Sequence, residues 1–402
     1  MGGASMVHPQ RFQRMMDAGM WWLVSLSAGL AVVHGLVLRG WARAWCSAIG
    51  HPEGREPTTP SPPVHWSVVV PARNEAHGVG NVLDDLELQK GDFHVFVVDD
   101  HSADGTSKRA KEHGLCHKGR LTVLPNQGQG KKSALLTGLK EATTPWVVTL
   151  DADIRLAPDW AVSWQQALDR TTDKVACVAG PVVLASTPSQ PRLWEGVQAL
   201  DYAAQMGWSA GCLARNTPGS ASGANLAVRC TTYPDTRHLG ASGDDTLVVQ
   251  SLQRAGHEVA WLGDSRAMVS TPGAPSLREW IQQRLRWAQK TVHYAPSAQR
   301  TAWWMAFMSA AQWGLWLLAL VNPSSEQWAV AWGWWAAITA MNVAYVRPVA
   351  RWFRLHTSWL HEMVLGLTQP WHMPVLLLGR FGVLRPWGIA SKPTWKGRTC
   401  DL

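Results

Sequence analysis

Hydrophobic positions follow two patterns along this chain. Near both ends they form long unbroken runs, and in the middle they form short runs that stop at polar tips. Ala18–Leu38 carries no charged residue over 21 positions, enough helix to cross a hydrocarbon layer of about 30 Å. Arg11 and Arg14 precede it, so a cleaved signal peptide competes with an anchor. The run is long for a signal peptide and lacks a convincing small-x-small cleavage site, which favours the uncleaved anchor. Trp303–Val321 and Trp328–Val346 are two further runs. Their link, NPSSEQ, holds no Lys or Arg, whereas Arg347, Arg351 and Arg354 follow the second run. That asymmetry puts the link outside and Arg347 inside. A fourth stretch, Trp359–Leu384, contains Glu362, Pro370, Pro374 and Arg380 and has basic residues beyond both ends. A re-entrant or interfacial hairpin turning at the prolines therefore competes with a fourth span. Three spans plus this segment place residues 39–302 in the cytosol with the N-terminus outside.

From Val64 the pattern shortens to HWSVVVPARNE, HVFVVDDHSADGT and WVVTLDAD, separated by helix-like stretches at 75–89, 104–114 and 131–142. Strands alternating with helices predict a mostly parallel α/β sheet. Such sheets bind ligands outside the carboxyl ends of their strands. Asp99 and Asp100 stand at one such end, Asp151 and Asp153 at another. The predicted organisation is an N-terminal anchor (1–50), a Pro-rich linker (51–63), a catalytic α/β domain (64–275), an amphipathic interface helix (276–302) and a C-terminal membrane region (303–402). The linker, HPEGREPTTPSPP, reads as an extended spacer.

Composition sharpens the contrast between flanks and middle. There are 26 Trp beside 6 Phe and 4 Tyr; four Trp lie in 1–45, seven in 46–275 and fifteen in 276–402. A general demand for aromatic core would raise Phe and Tyr as well. Indole is the side chain enriched where headgroups meet hydrocarbon, although a Trp-rich soluble core is the competing reading. The mean hydropathy of −0.11 understates the flanks, because that scale ranks Trp as mildly polar. Hydrophobic residues at 46% and charged residues at 16% exclude a disordered chain. The net charge of +8 is not gathered into a basic run with interleaved aromatics, so no nucleic-acid partner is expected. Anionic headgroups or a phosphorylated substrate fit the charge as well. Cysteines 46, 116, 177, 212, 230 and 400 form no CxxC pair. They read as reduced, cytosolic thiols rather than a zinc site or a disulfide framework.

The acidic residues carry the candidate chemistry. In extended chain Asp151 and Asp153 point the same way, and two adjacent carboxylates repel unless a proton or cation intervenes. Hard oxygen ligands suit Mg²⁺ or Mn²⁺ bridging to a diphosphate. Asp244 and Asp245 precede the apolar stretch TLVVQSL; they read either as a helix cap or as a catalytic base at a helix start. Residues 276–290 (SLREWIQQRLRWAQK) predict a helix opened by a Ser276–Glu279 capping box. Its position before the next apolar run suits a helix lying in a membrane interface. That reading leaves the combination of Gln283, Arg286 and Trp287 unexplained.

Taken together these motifs resemble glycosyltransferase family 2 in its membrane-embedded branch. The order is Pro71–Glu75 as PxxNE, a strand ending in Asp99–Asp100, Gly130–Leu135 as GKxxAL, Asp151–Asp153 as DxD, and Ser222–Asn225 as SGAN. An acidic pair and Gln283–Trp287 as QxxRW follow. The flanking apolar runs are similar in outline to cellulose, chitin and hyaluronan synthases, and in length to ceramide glucosyltransferases. The resemblance implies a GT-A fold, a mixed and mostly parallel sheet flanked by helices. It also implies inverting transfer from a nucleotide-sugar, with a UDP-sugar as donor and Mg²⁺ or Mn²⁺ as cofactor. By matching position, Pro71, Ala72, Arg73, Glu75, Asp99 and Asp100 would hold the nucleotide. Lys132 would approach the donor, Asp151 would lie near sugar and diphosphate, and Asp153 would ligate the metal. Asp245 would be the general base, and Gln283, Arg286 and Trp287 would hold the diphosphate or the acceptor. The family's usual Glu-Asp is Asp244-Asp245 here; the second Asp is kept. Expected partners are the nucleotide-sugar, a lipid or glycan acceptor and the membrane, with an oligomer possible. The expected location is the inner cell membrane with a cytosolic catalytic domain. Single transfer to a lipid and processive polysaccharide synthesis are the two forms of this reading. An inactive membrane scaffold and a nucleotidyltransferase are the alternatives to it.

Overall fold

The computed structural model describes residues 9–50, 63–185, 192–239, 243, 245–387, 394–395 and 398–399, with side chains for 19–50, 63–185, 192–239, 243, 245–379 and 381–386. Most of the 51–63 linker and Asp244 lie outside the described residues. The strands in chain order are β1 (Trp66–Ala72), β2 (Phe93–Asp99), β3 (Leu121–Pro125), β4 (Trp146–Leu150), β5 (Arg155–Leu156), β6 (Val175–Ala179), β7 (Val182–Ala185), β8 (Asn225–Arg229), β9 (Glu258–Trp261) and β10 (Val269–Pro272). The helices are α1 (Pro9–Ile49), α2 (Gly78–Leu88), α3 (Thr106–Lys111), α4 (Gly114–His117), α5 (Lys131–Glu141), α6 (Trp160–Asp169), α7 (Leu193–Ala214), α8 (Thr246–Arg254), α9 (Leu277–Gln289), α10 (Pro296–Val321), α11 (Ser325–Trp352), α12 (Trp359–Thr368) and α13 (His372–Arg380).

Seven strands form one sheet in the order β3-β2-β1-β4-β8-β6-β9, in which β8 runs antiparallel to both neighbours. A smaller sheet pairs β5, β10 and β7. The near-continuous apolar sequence of β1 is what a central parallel strand requires, since helices cover both faces. Val68, Val69 and Val70 are completely buried. Register aligns the strand tips: Ala72 sits opposite Asp99, and Asp99 opposite Pro125. The expected GT-A-like, mostly parallel sheet is the sheet observed. Asn225, assigned by motif to SGAN, is a buried hub for this layer. Its Oδ1 accepts from the indole N–H groups of Trp160 and Trp164, both at 3.1 Å, and its Nδ2 donates to the carbonyls of Pro181 and Ala267.

Helix α7 joins this domain to the apolar flanks. A Cβ on Gly211 would come within 2.7 Å of Ala44 in α1, and one on Gly207 within 2.8 Å of Val349 in α11. Glycine at these two positions lets both helices pack directly on α7. Two helices, over Gly19–Ile49 and Pro296–Val321, are long and apolar enough to cross a membrane. The third predicted run lies within α11, which at 28 residues is long enough but is not apolar enough to be counted with those two. The fourth is broken into α12 and α13, of 10 and 9 residues, joined by a 3-10 turn at Gln369–Trp371. At about 1.5 Å per residue neither piece alone crosses a bilayer.

The break has a specific chemistry. Pro370 and Pro374 lack the N–H groups that would bond the carbonyls of Gly366 and Pro370 four residues earlier. Those two carbonyls are taken up by side chains instead. Trp335 Nε1 donates to Gly366 O at 3.0 Å, and Trp313 Nε1 and Ser309 Oγ donate to Pro370 O at 2.9 and 2.6 Å. A second polar chain runs through the same bundle. Trp304 Nε1 donates to His34 Nδ1, so the ring proton lies on Nε2, which donates to Asn342 Oδ1 at 2.9 Å; Asn342 Nδ2 in turn donates to Gln369 Oε1.

Candidate active site

The site is built on the carboxyl ends of β1, β2, β3 and β4. The Pro71–Glu75 segment leaves β1 through Asn74 at φ 51°, a left-handed position that Asn tolerates better than most residues. The segment after β2 latches this turn. Asn74 N donates to Ser102 Oγ, Ala103 N to Asn74 Oδ1, Glu75 N to Thr106 Oγ1 and Ala76 N to Asp104 Oδ2, all within 3.0 Å. Asp100 is buried beneath the turn. Its Oδ1 accepts from Asn126 Nδ2 at 2.7 Å and Gly130 N at 3.0 Å, and Arg73 Nη1 donates to its carbonyl at 2.6 Å. Asp100 thus clamps the tips of β1, β2 and β3 together, while Asp99 Oδ1 accepts from Ser102 N.

Asp151 and Asp153 follow β4. Asp151 is ion-paired with Lys131 at 2.7 Å, and Asp153 is exposed. Helix α2 abuts this turn. A Cβ on Gly78 would lie 2.7 Å from the Ala152 carbonyl and 3.2 Å from both Asp153 Cα and Glu75 Oε2. Gly78 therefore brings the β1 turn and its carboxylate against the DxD loop. Asp85 of the same helix holds Arg155 through two 2.7 Å bonds and accepts from Leu156 N at 2.9 Å, fixing the residues just beyond Asp153. Lys132, expected near the donor, is buried, and its Nζ donates to the Thr236 carbonyl at 2.8 Å. Its neighbour Lys131 takes the place beside Asp151.

The other wall comes from α7, α8 and α9. Asp245 is the N-cap of α8; its Oδ1 accepts from Thr246 N at 2.5 Å and lies 3.7 Å from Lys290 Nζ. Tyr202 of α7 faces this group. Burial pushes its phenol up to about 12; the carboxylates of Asp245 and Asp151 add to the rise, while a hydrogen bond with Ser222 and the charge of Lys131 oppose it. One phenol therefore senses the carboxylate after β4 and the one that caps α8, and remains protonated at neutral pH. Its ring lies 6.2 Å from that of Trp287. Helix α9 opens on Ser276 as N-cap, its Oγ accepting from Glu279 N at 3.2 Å; the expected capping box is only half formed, because the Glu279 carboxylate accepts from the Ser276 hydroxyl rather than from its backbone N–H. Arg284, between Trp280 and Trp287 with centroid distances of 5.1 and 4.7 Å, pairs with Asp201 of α7. Gln283 and Arg286 are half-buried on the same helix. The apolar face of α9 is covered, with Leu285 meeting α13 at Gly379, so this helix does not lie bare against lipid on that side.

Sequence reading overlooked Tyr202, Lys131 and Asp201. All three reach the site through packing between distant elements, and no local motif marks Tyr202 or Asp201. Lys131 lies beside the expected Lys132, and the helix start at Gly130 (φ 86°) decides which of the two turns to Asp151.

The donor set can be tested against a divalent cation. Asp151 and Asp153 offer hard carboxylate oxygens, but no group of three or more His, Cys, Asp or Glu suited to a metal ion occurs among the described residues. That composition fits Mg²⁺ or Mn²⁺, which take one or two carboxylates and fill the remaining positions from water and substrate phosphates. It does not fit a cage made by protein alone.

The fold and the acidic strand ends define a GT-A-type transferase. The mannosyltransferase PcManGT of Pyrobaculum calidifontis, solved with GDP-Man and Mn²⁺, superposes with a TM-score of 0.52 at 19% identity, covering 87% of this chain and 99% of that one. Residues 67–217 match the family model described as glycosyl transferase family 2, and residues 146–346, half of the chain, match glycosyl transferase family group 2. The chain belongs to this family and is a glycosyltransferase. Dolichol-phosphate mannosyltransferase of Pyrococcus furiosus is 30% identical over 110 residues, 27% of this chain and 31% of that one. Undecaprenyl-phosphate 4-deoxy-4-formamido-L-arabinose transferase of Proteus mirabilis is 28% identical over 98 residues, 23% and 30% of the two chains. The matches thus span about a third of the length of these relatives.

Proposed function

We propose that this glycosyltransferase moves one sugar from a nucleoside diphosphate sugar, UDP-linked in the first instance, onto a lipid acceptor held at a membrane, with inversion at the anomeric carbon. The observation that carries the reading is Tyr202 on α7, a helix that packs directly against α1 and α11; its phenol feels the carboxylates of Asp151 and Asp245, and its ring neighbours Trp287. Trp22 of α1 and Val321 at the end of α10 are 77% and 81% exposed, which suits lipid contact rather than a soluble core. Both relatives named above carry a lipid phosphate in their names, which supports a lipid acceptor. The Pro71–Glu75 turn, set by Asp99 and Asp100, binds the nucleotide. When bound, Mg²⁺ or Mn²⁺ held by Asp153, with Asp151 beside it, offsets charge on the departing diphosphate. Asp245 accepts the proton of the acceptor hydroxyl as its oxygen bonds to the anomeric carbon. The bond from that carbon to the diphosphate breaks, and its electron pair leaves with the nucleoside diphosphate. Gln283, Arg286 and Trp287 position the diphosphate and the acceptor, and Lys131 holds Asp151. The catalytic domain lies on the cytosolic side of the inner cell membrane, where nucleotide-sugars are made.

The test is nucleoside diphosphate release by the purified full chain across a panel of UDP- and GDP-sugars, with membrane lipid extract as acceptor and products sized by mass spectrometry. A single-sugar glycolipid is expected, and Asp245→Asn should abolish it while nucleotide binding persists. Undiminished transfer by that variant removes the base assignment. A polymeric product overturns single transfer in favour of the processive form, and release of pyrophosphate overturns glycosyl transfer.

A further inference from the structure

A cleft of about 250 Å³ lies between α1, α7 and α10, lined by Trp41, Trp208, Cys212, Arg215, Ser297 and Thr301 among others. It is separate from the active site. At 100° per residue, Trp208 and Gly211 of α7 lie about 120° and about 180° round the helix from Tyr202, and Arg215 is its C-cap. Its position along the membrane helices is informative. Trp41 follows the uncharged stretch that ends at Leu38, and Ser297 and Thr301 precede the apolar run that begins at Trp303. The cleft therefore sits where both helices pass from apolar to polar sequence, which is headgroup level if they cross a bilayer.

The chemistry of its lining is one-sided. The Arg215 guanidinium and the indole N–H groups of Trp41 and Trp208 have no hydrogen-bond or ion-pair partner among the described residues. No Asp or Glu side chain lines the cleft. A cleft with mostly apolar walls, an exposed cation at its edge and no carboxylates is complementary to an amphiphile with an anionic head. Its volume suits a headgroup rather than a nucleotide-sugar, and the two indoles offer apolar faces with polar edges, as interfacial ligands require.

We infer that this cleft binds the phosphate of an anionic phospholipid, with Arg215 as its charge partner and Trp208 as a second donor. The bound lipid would fasten α1 and α10 to α7 on the face away from the chemistry. This inference rests on the reading that α1 and α10 cross the membrane, and the test separates the two. The full chain is placed in nanodiscs of phosphatidylcholine, with or without phosphatidylglycerol, and retained lipid is quantified by native mass spectrometry. Selective retention of phosphatidylglycerol is expected. Arg215→Gln should weaken it about tenfold, the scale of a charge-assisted hydrogen bond. Arg215→Lys should keep most of it, and Trp208→Phe, which removes only the indole donor, should lose less. Nucleoside diphosphate release by Arg215→Gln in phosphatidylcholine should equal that of the unmodified protein, which establishes that the variant is folded. Equal retention by the Gln variant, or insertion into both disc types with no preference, overturns the site alone. Displacement of the lipid by millimolar inorganic phosphate overturns the lipid as its source. Failure to insert into any bilayer overturns the spanning reading with it.

Discussion

Asp201→Asn probes how α9 is held against α7. The pair with Arg284 is 17% and 15% exposed at its two side chains, and the guanidinium lies between two indoles. Asparagine preserves shape but leaves a cation in a mostly dry site. Breaking a buried pair by removing one partner costs about 3–5 kcal/mol, and the residual exposure puts this case near about 3 kcal/mol. For a domain of this size that is a fall in melting temperature of about 6–12 °C. The assay is thermal unfolding of the full chain for Asp201→Asn, Arg284→Met and the Asp201→Leu/Arg284→Met double variant, with transfer measured on each. Both single variants should melt lower, and the double variant should return most of the way, because two apolar groups leave no stranded charge. The Asn variant should also lose kcat/KM, because α9 carries Gln283, Arg286 and Trp287, and the double variant should regain part of it. A silent Asp201→Asn, or a double variant equal to the sum of the singles, refutes the argument that the pair holds this helix.

Three further outcomes are expected. Tyr202→Phe should lower kcat by about tenfold or less, the scale of one neutral hydrogen bond, with unchanged nucleotide affinity by calorimetry. Because the folded phenol titrates near 12, above its unfolded value, its contribution to stability is complete below about pH 10 and lost as pH rises toward 12; the Phe variant should lack that share of the alkaline loss. Mn²⁺ should bind weakly to the nucleotide-free chain and much more tightly with UDP present, since Asp151 and Asp153 leave most coordination positions to the diphosphate; tight binding without nucleotide contradicts this. Trp335→Phe should cost about 1–3 kcal/mol by stranding the Gly366 carbonyl, whereas Trp332→Phe, at an exposed position, should cost little by the same thermal assay.

The strands and their acidic ends were legible because period, burial and chemistry coincide there. A central parallel strand must be apolar throughout, so β1, β2 and β4 announce both themselves and the polar residues that end them. The start of α9 was equally plain, since an N-cap is a local contact. The break at Pro370 and Pro374 could be read from the missing N–H groups, but the donors that replace them could not, because Trp313 and Trp335 lie on other helices. Asn225 carried a motif, yet its role as a buried hub depends on two indoles more than 60 positions away in sequence. Tyr202 carried no motif at all. Its place follows from how α7 is seated between the sheet and the apolar helices, and no short stretch of sequence encodes that seating.

The proline-freed carbonyls also imply an order of assembly. The segment containing α12 and α13 cannot enter a dry environment by itself, because its two spare acceptors find donors only on α10 and α11. Trp313 and Trp335 leave the ribosome before Pro370 does, so the donors are in place when the acceptors arrive. A chain whose α10 and α11 had not yet paired would hold its last segment at the surface. On this view part of the tryptophan excess is not anchorage. It is a set of reserved hydrogen-bond donors that makes docking of the final segment conditional on everything before it.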